Sequence, residues 1–283
     1  MTYSIVARDP ETGELGAAVA SRSLGLGSCI WARPGVGAVA TQSFTEAGYG
    51  PRGLDLLAAG RDPADALAEL LTEDERREYR QVAFLAADGR TAAHTGDRCI
   101  PDCGHLAAPG LSTQGNMLGS PEVWPAAAEA FAAATGSLAE RLLAALDAGE
   151  AAGGDFHGRQ AAALVLASGD PADPPWQTVA FRVEDHPEPL PELRRIHRLH
   201  ATRRRRAAFG PDTDTAAEVE LARAAGLGAE EVALTAALAE SRRGDRDGVA
   251  RALAPLAGAD RRWREAFERY EELGLIQPAP HST

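Results

Sequence analysis

The sequence predicts an α+β protein: two β-sheets packed on each other, each backed by helices, followed by a small all-α module. Three observations lead there. Across residues 2–202 the signals run hairpin, strand, helix, hairpin, helix, and then two further strands. Several of these strands are apolar on nearly every residue, which calls for cover on both faces, whereas a sheet with one wet face alternates more cleanly. From Arg203 onward strand signals stop, and helices joined by short turns remain. The domains are therefore set at 2–202 and 203–283, the second a helical-hairpin module.

Each element follows from local chemistry. Residues 3–7 are apolar and β-prone, directly after Thr2. The stretch DPETG at 9–13 turns the chain, because Pro fixes φ and Gly supplies positive φ, and residues 15–20 form the returning strand. Gly25 and Gly27 fall in a loop between strands, and GVGAVATQSF, 35–44, reads as a third buried strand. EAGYGPRG is a glycine-punctuated loop into a helix over about 53–71. That helix is apolar at Leu54, Leu57, Ala66, Leu67 and Leu70 and breaks at Gly60-Arg61-Asp62-Pro63. In QVAFLAADGRTAAHTG the Asp88-Gly89 pair signals a second hairpin.

Residues 99–121 read as a loop with STQGNMLGSPEV in its middle. An amphipathic helix over 121–148 is interrupted at Thr135-Gly136-Ser137, where Ser137 caps the restart. GGDFHGRQAAALVLA and WQTVAFRV supply two more strands, and a helix begins in DHPEPLPELRRIHRLH. The module carries helices over 215–225, 229–243, 246–256 and 261–273.

Composition narrows the function. The 283 residues carry a net charge of −12, which repels phosphate backbones and argues against nucleic acid as a partner. The basic run RRRR at 203–206 reads as the solvated face of a helix. No apolar run approaches a membrane span, and no charged-then-apolar leader with a cleavage site is visible. Cys29, Cys99 and Cys103 are too few for a disulfide framework. The expectation is a cytoplasmic protein that meets a small molecule. All 29 basic residues are Arg, so no lysine is present to act as base or Schiff-base former. No dinucleotide, P-loop or zincin motif occurs.

The candidate chemistry centres on Thr2. Its small side chain suits removal of Met1, and a Thr with a free α-amine carries nucleophile and base on one residue. That amine has an unperturbed pKa of about 7.7–8.0, close to working pH. Ser21 and Arg22, at the end of the second strand, should come near Thr2 if the hairpin pairs, with Arg22 suited to a substrate charge. Gln42 offers an uncharged hydrogen-bonder on the third strand. Gln114 and Asn116 flank Gly115 and supply two carboxamides and a backbone N–H for an oxyanion or an amide-bearing substrate. Asp155 and Arg159, four apart in GGDFHGRQ, could orient the amine or clamp a carboxylate. His94, Cys99, Cys103 and His105 offer four soft metal ligands, but not at the spacing of a usual zinc knuckle, so no metal is expected.

The opening TYSIVARDPETGELGAAVASRS resembles the start of N-terminal nucleophile (Ntn) hydrolases, in which a Thr, Ser or Cys heads the first strand. More closely, the ordered set VGAVATQ, YGPRGLDLLAAG, CIPDCGH, QGNML, GGDFHGRQAAAL and VEDHPEPLPELRRI resembles the bacterial domain-of-unknown-function family 1028 over about residues 2–200. The tail DRRWREAFERYEELGLIQP is similar to the tetratricopeptide-like end of some members. The resemblance implies a four-layer αββα sandwich. Proteasome-type sites place a Lys near the threonine; none exists here, so amine activation falls to desolvation or polar neighbours.

The expected function is an Ntn-type amidohydrolase cleaving a small amide, ureide or carbamoyl C–N bond. Thr2, Gln114, Asn116 and Asp155 would be catalytic, while Ser21, Arg22, Gln42 and Arg159 bind substrate. No metal or cofactor is expected, and self-association into a homo-oligomer is. The rival is a non-catalytic binding or assembly protein that keeps the fold and docks a partner through its helical tail. A zinc hydrolase centred on Cys99 and His105 is the third reading.

Overall fold

The computed structural model describes residues 2–206, 209, 210 and 212–274. Met1, whose removal the Thr2 chemistry requires, lies outside the described residues, as does the end of the tail motif after Gly274. The chain divides between Arg194 and Arg195 into two compact units, earlier than the boundary expected at 202/203.

The first unit opens with β1 (Thr2–Arg8) and β2 (Leu15–Ser21), an antiparallel hairpin in which Tyr3 pairs with Ala20. Asp9 builds its turn, its Oδ1 accepting from the backbone N–H groups of Glu11 and Thr12 at 2.9 Å each. Next come β3 (Ile30–Arg33), β4 (Gly37–Ser43), α1 (Tyr49–Ala58) and α2 (Pro63–Glu73). Asp62 caps α2 by accepting from the Ala64 N–H, and Pro63 at the first helical position suits the start. The second hairpin is β5 (Arg80–Ala86) and β6 (Thr91–Thr95).

Residues 104–116, expected as loop, are instead a hairpin of β7 (Gly104–Ala108) and β8 (Leu111–Asn116). The signal was absent because β8 is made of small and polar residues, and its strand state comes from the ladders it makes with β1 and β7. β3, a short apolar run Ile30-Trp31-Ala32 that the sequence reading did not assign to a strand, pairs with β4.

α3 (Val123–Ala133) and α4 (Leu138–Ala151) split where expected, with Ser137 and Glu140 forming a capping box. β9 (Ala161–Ala167), β10 (Val179–Val183) and α5 (Pro189–Arg206) follow. The strands form two antiparallel sheets, in the orders β10-β9-β2-β1-β8-β7 and β3-β4-β5-β6.

Val6, Ala17 and Val19 of the first sheet share one core cluster with Ala38, Ala40, Ala83 and Leu85 of the second. The other face of the second sheet, at Val39, Val82 and Phe84, packs with Leu54 and Leu57 of α1 and Leu67 and Leu70 of α2. α4 lies against β1 and β2, close enough that Gly149 faces the Tyr3 ring. The fold is mixed α+β.

In the second unit, α6 (Thr215–Ala224), α7 (Ala229–Arg243), α8 (Arg246–Ala259) and α9 (Arg262–Glu272) lie close to their expected bounds. Ala237 of α7, Leu253 and Leu256 of α8 and Phe267 of α9 form a shared core. The arginine run ends α5, with Arg203 to Arg205 exposed and Arg206 half-buried, and Arg203 and Arg205 pair with Glu231 and Glu218. Among the described residues no helix is long and apolar enough to cross a membrane.

Candidate functional site

Side chains alternate across a strand, so the residues that continue the shared core can be counted outward. From Val6 the inner face of β1 runs to Ser4 and Thr2. From Val19 on β2 it reaches Ser21, from Ala40 on β4 it reaches Gln42, and from Ala83 on β5 it reaches Gln81. On β8, Ser112, Gln114 and Asn116 stand opposite Val6, Ser4 and Thr2. The space between the sheets is thus apolar at one end and polar at the other. Thr2, Ser21, Gln42, Gln81 and Asn116 are all buried there.

Buried polar groups must find partners, and these find one another. Thr2 Oγ1 lies 3.0 Å from Ser21 Oγ. Gln42 Nε2 donates to the Thr2 carbonyl at 3.2 Å and to Gln81 Oε1 at 2.8 Å. Asn116 Nδ2 donates to the same Gln81 oxygen at 3.0 Å. Gln81 Nε2 in turn donates to the carbonyls of Gly115 and Gly104 and to Thr95 Oγ1, at 2.7, 3.1 and 3.0 Å. Gln81 is the hub of this end, and the sequence reading did not include it. Its signal was an amide at the head of the apolar run QVAFLA.

Gln114 is placed differently from the expectation. Its Nε2 donates to Ser4 Oγ at 2.6 Å and its Oε1 accepts from Ser112 Oγ at 2.9 Å, one inward-facing rung away from Thr2. Its side chain ties β1 to β8 within a strand, rather than presenting itself from a loop.

The backbone is strained at the same end. Among the described residues, Ser43 (φ 73°) and Met117 (φ 54°) are the non-glycine residues with positive φ. They directly follow Gln42 and Asn116. Left-handed conformations cost an L-residue roughly 1–2 kcal/mol and collect at functional sites.

Asp155 is buried and holds the end of β2. Its Oδ2 accepts from the Arg22 backbone N–H at 2.6 Å, and its Oδ1 from the His157 N–H at 2.8 Å. The Arg22 side chain is exposed and donates to the His157 carbonyl at 3.1 Å. Arg159 pairs with Glu150 at 2.6 Å and Glu188 at 2.9 Å. Arg159 is thus engaged by two carboxylates, while Asp155 is held by backbone N–H groups.

Glu150 also accepts from the Tyr3 hydroxyl at 2.7 Å. Burial first, and then the Glu150 charge, push the Tyr3 phenol well above its usual pKa. A cavity of about 160 Å³ beside this cluster is lined by Tyr3, Ser21, Asp155 and Arg159 among others. Burial likewise raises the pKa of Asp147 on its wall.

Residues 2–193 match the model of a family of unknown function, DUF1028. The chain belongs to this family. A solved DUF1028 structure, that of protein SPO2555 from Silicibacter pomeroyi, is similar with a TM-score of 0.63 and 34% identity, over 69% of this chain and 87% of that one. No curated protein matches. The DUF1028 region takes in Thr2, Ser21, Gln42, Gln81, Asn116 and Asp155, and stops short of α6 to α9.

Within the DUF1028 region the histidines and cysteines are used separately. His94 Nε2 meets the Arg77 carbonyl at 2.9 Å, and His105 Nδ1 meets Thr95 Oγ1 at 2.8 Å. The Cys99 thiol donates to the Arg80 carbonyl and the Cys103 thiol to the Cys99 carbonyl. Burial raises the pKa of both thiols. Among the described residues no group of three or more His, Cys, Asp or Glu is arranged to hold a metal ion.

Proposed function

We propose that this DUF1028 chain is an Ntn-type amidohydrolase, a four-layer αββα sandwich that cleaves a small amide, ureide or carbamoyl C–N bond through Thr2. The observation that carries the reading is the Thr2 hydroxyl, buried and 3.0 Å from Ser21 Oγ, at the amide-rich and strained end of the core between the sheets.

Processing directly ahead of Thr2 frees its α-amine. The amine takes the hydroxyl proton as Oγ attacks the substrate carbonyl carbon, and Ser21 orients that hydroxyl. The oxyanion of the tetrahedral intermediate is stabilised by Asn116 Nδ2 and by backbone N–H groups at this end. As the C–N bond breaks, the α-ammonium returns its proton to the leaving nitrogen, and an ester remains on Oγ. Water, deprotonated by the same amine, attacks that ester and releases the acid with regeneration of Thr2. Arg22 meets a substrate charge at the mouth, and Asp155 holds the strand end that carries Ser21 and Arg22. Gln114 supports the strand pair and leaves substrate contact to Asn116 and Gln42.

The test combines intact mass with a panel of amides and ureides assayed on wild type and Thr2→Ala. Loss of Met1 and a hydrolysis that disappears in Thr2→Ala are expected. Retained Met1, or equal hydrolysis by both proteins, overturns the reading. Binding without hydrolysis by both proteins favours the non-catalytic alternative.

A further inference from the structure

Two backbone carbonyls fix the direction of the Gln81 side-chain amide. The Gly104 and Gly115 carbonyls can only accept, and both lie within hydrogen-bond distance of one terminal atom of Gln81. That atom is therefore the NH₂ nitrogen, and the other is an acceptor oxygen. Gln81 Oε1 then requires donors, and it meets the NH₂ groups of Gln42 and Asn116. The orientation of Gln42 is doubly determined, because its Nε2 also faces the carbonyl oxygens of Thr2 and Gln114, at 3.2 and 3.4 Å. A turned Gln42 amide would set oxygen against three oxygens.

The consequence falls on Gln42 Oε1. Gln42 is 1% exposed, and among the described residues this oxygen is a buried acceptor with no hydrogen-bond partner. A buried acceptor left unmatched is costly, and the group that completes it is a donor. The same side chain holds the Thr2 carbonyl, and it precedes the strained Ser43. We infer that Gln81 is a positioning residue that sets the polarity of the site, and that the ligand is one donating an N–H to Gln42 Oε1, as a primary amide or urea nitrogen does. The inference rests on the reading of the Thr2 end as a site for small nitrogen compounds, but not on turnover there.

The probe pair is propionamide and butanone, which share shape and carbonyl but exchange NH₂ for CH₃. Both are titrated by NMR into Thr2→Ala protein shown by mass to lack Met1. This background removes hydrolysis, so a failed binding test and a failed catalytic reading are told apart. Propionamide should bind about tenfold more tightly than butanone, the worth of one hydrogen bond to a buried acceptor. Adding Gln42→Met should bring the ratio close to one. Adding Gln81→Met, which removes one of the three oxygens that orient the Gln42 amide, should lower the ratio without inverting it.

Glutamine carrying a ¹³C side-chain carbonyl gives a readout that needs no change at Gln42 or Gln81. Propionamide should shift the Gln42 Cδ resonance, and butanone should leave it in place. Equal affinities, binding of neither probe, a preference that survives Gln42→Met, or an unmoved Gln42 Cδ resonance each overturn the inference. Equal affinities together with an already donor-bonded Gln42 Cδ resonance would assign the donor to the Thr2 α-amine instead of the ligand.

Discussion

Thr2 Oγ1 and Ser21 Oγ stand 3.0 Å apart on adjacent antiparallel strands, with both residues buried. The hairpin register that pairs Tyr3 with Ala20 carries both hydroxyls to the inner face at the same end. If Ser21 orients the nucleophile, Ser21→Ala should lower kcat by about 10–100-fold with little change in KM, because misplacing a reacting group costs rate rather than affinity. Thr2→Ser keeps hydroxyl and amine and should retain most activity. Steady-state kinetics on the two variants checks both. An unchanged kcat in Ser21→Ala would leave Ser21 with a packing role alone.

Strain at Ser43 gives a second prediction, with opposite signs for stability and activity. Ser43→Gly relieves a positive φ of 73° but adds unfolded-state entropy, so a net gain of about 0.5–1 kcal/mol is expected. Ser43→Ala keeps the strain and should gain nothing. Urea melts measure the difference. Activity should fall in Ser43→Gly, because the constraint on the neighbouring Gln42 loosens.

How much of this was legible in the sequence depends on how local each determinant is. The turns at Asp9-Pro10 and Asp88-Gly89, the Asp62-Pro63 start of α2 and the Ser137–Glu140 capping box are written within a few residues, and all lie where the sequence puts them. The β8 strand is not, because Ser112 to Asn116 have no apolar alternation, and only the partners β1 and β7 make them a strand.

The site divides along the same line. The nearness of Thr2 and Ser21 follows from one short hairpin. Gln81 becomes a hub only when β5 pairs with β4 and β8 brings the Gly115 carbonyl to it. Gln114 faces Ser4 and Ser112, a placement fixed by its position in the β8 ladder, so reading it as a loop residue obscured it. Arg159 found Glu150 and Glu188, partners that helix-like spacing from Asp155 does not reveal.

One substitution should act in opposite directions in two helices. A Cβ on Gly53 of α1 would lie 2.5 Å from Cζ of Phe84, which is fully buried. Gly53→Ala should therefore destabilise the first unit by about 1–3 kcal/mol, as overpacking outweighs better helix propensity. On Gly258 of α8 the added Cβ meets nothing within 4 Å. Gly258→Ala should stabilise the second unit by about 0.5 kcal/mol. Thermal melts of both variants give the two signs, and the same sign in both would contradict the packing at Phe84.

Arg80 carries the last prediction, since it ties the chain just after β4 to a carboxylate. Its Nε and Nη2 donate to Asp74 at 2.7 and 3.2 Å, and its Nη1 donates to the Phe44 carbonyl at 2.6 Å, next to Ser43. The Tyr49 hydroxyl donates to the same carboxylate at 3.1 Å. The Arg80 hydrogen bond, opposed in part by burial, holds the Asp74 pKa below its usual value. With the folded pKa depressed, the stabilisation is fully present above the unfolded value of about 3.9 and is lost as pH falls through the folded one. Asp74→Asn leaves a largely buried guanidinium without its counter-charge and should cost about 3–5 kcal/mol at neutral pH. Denaturant melts at neutral pH and below about pH 3 should show the gap between wild type and variant closing in acid, because protonation removes the same charge from the wild type. A gap that stays constant across that range would mean that the pair contributes shape rather than charge.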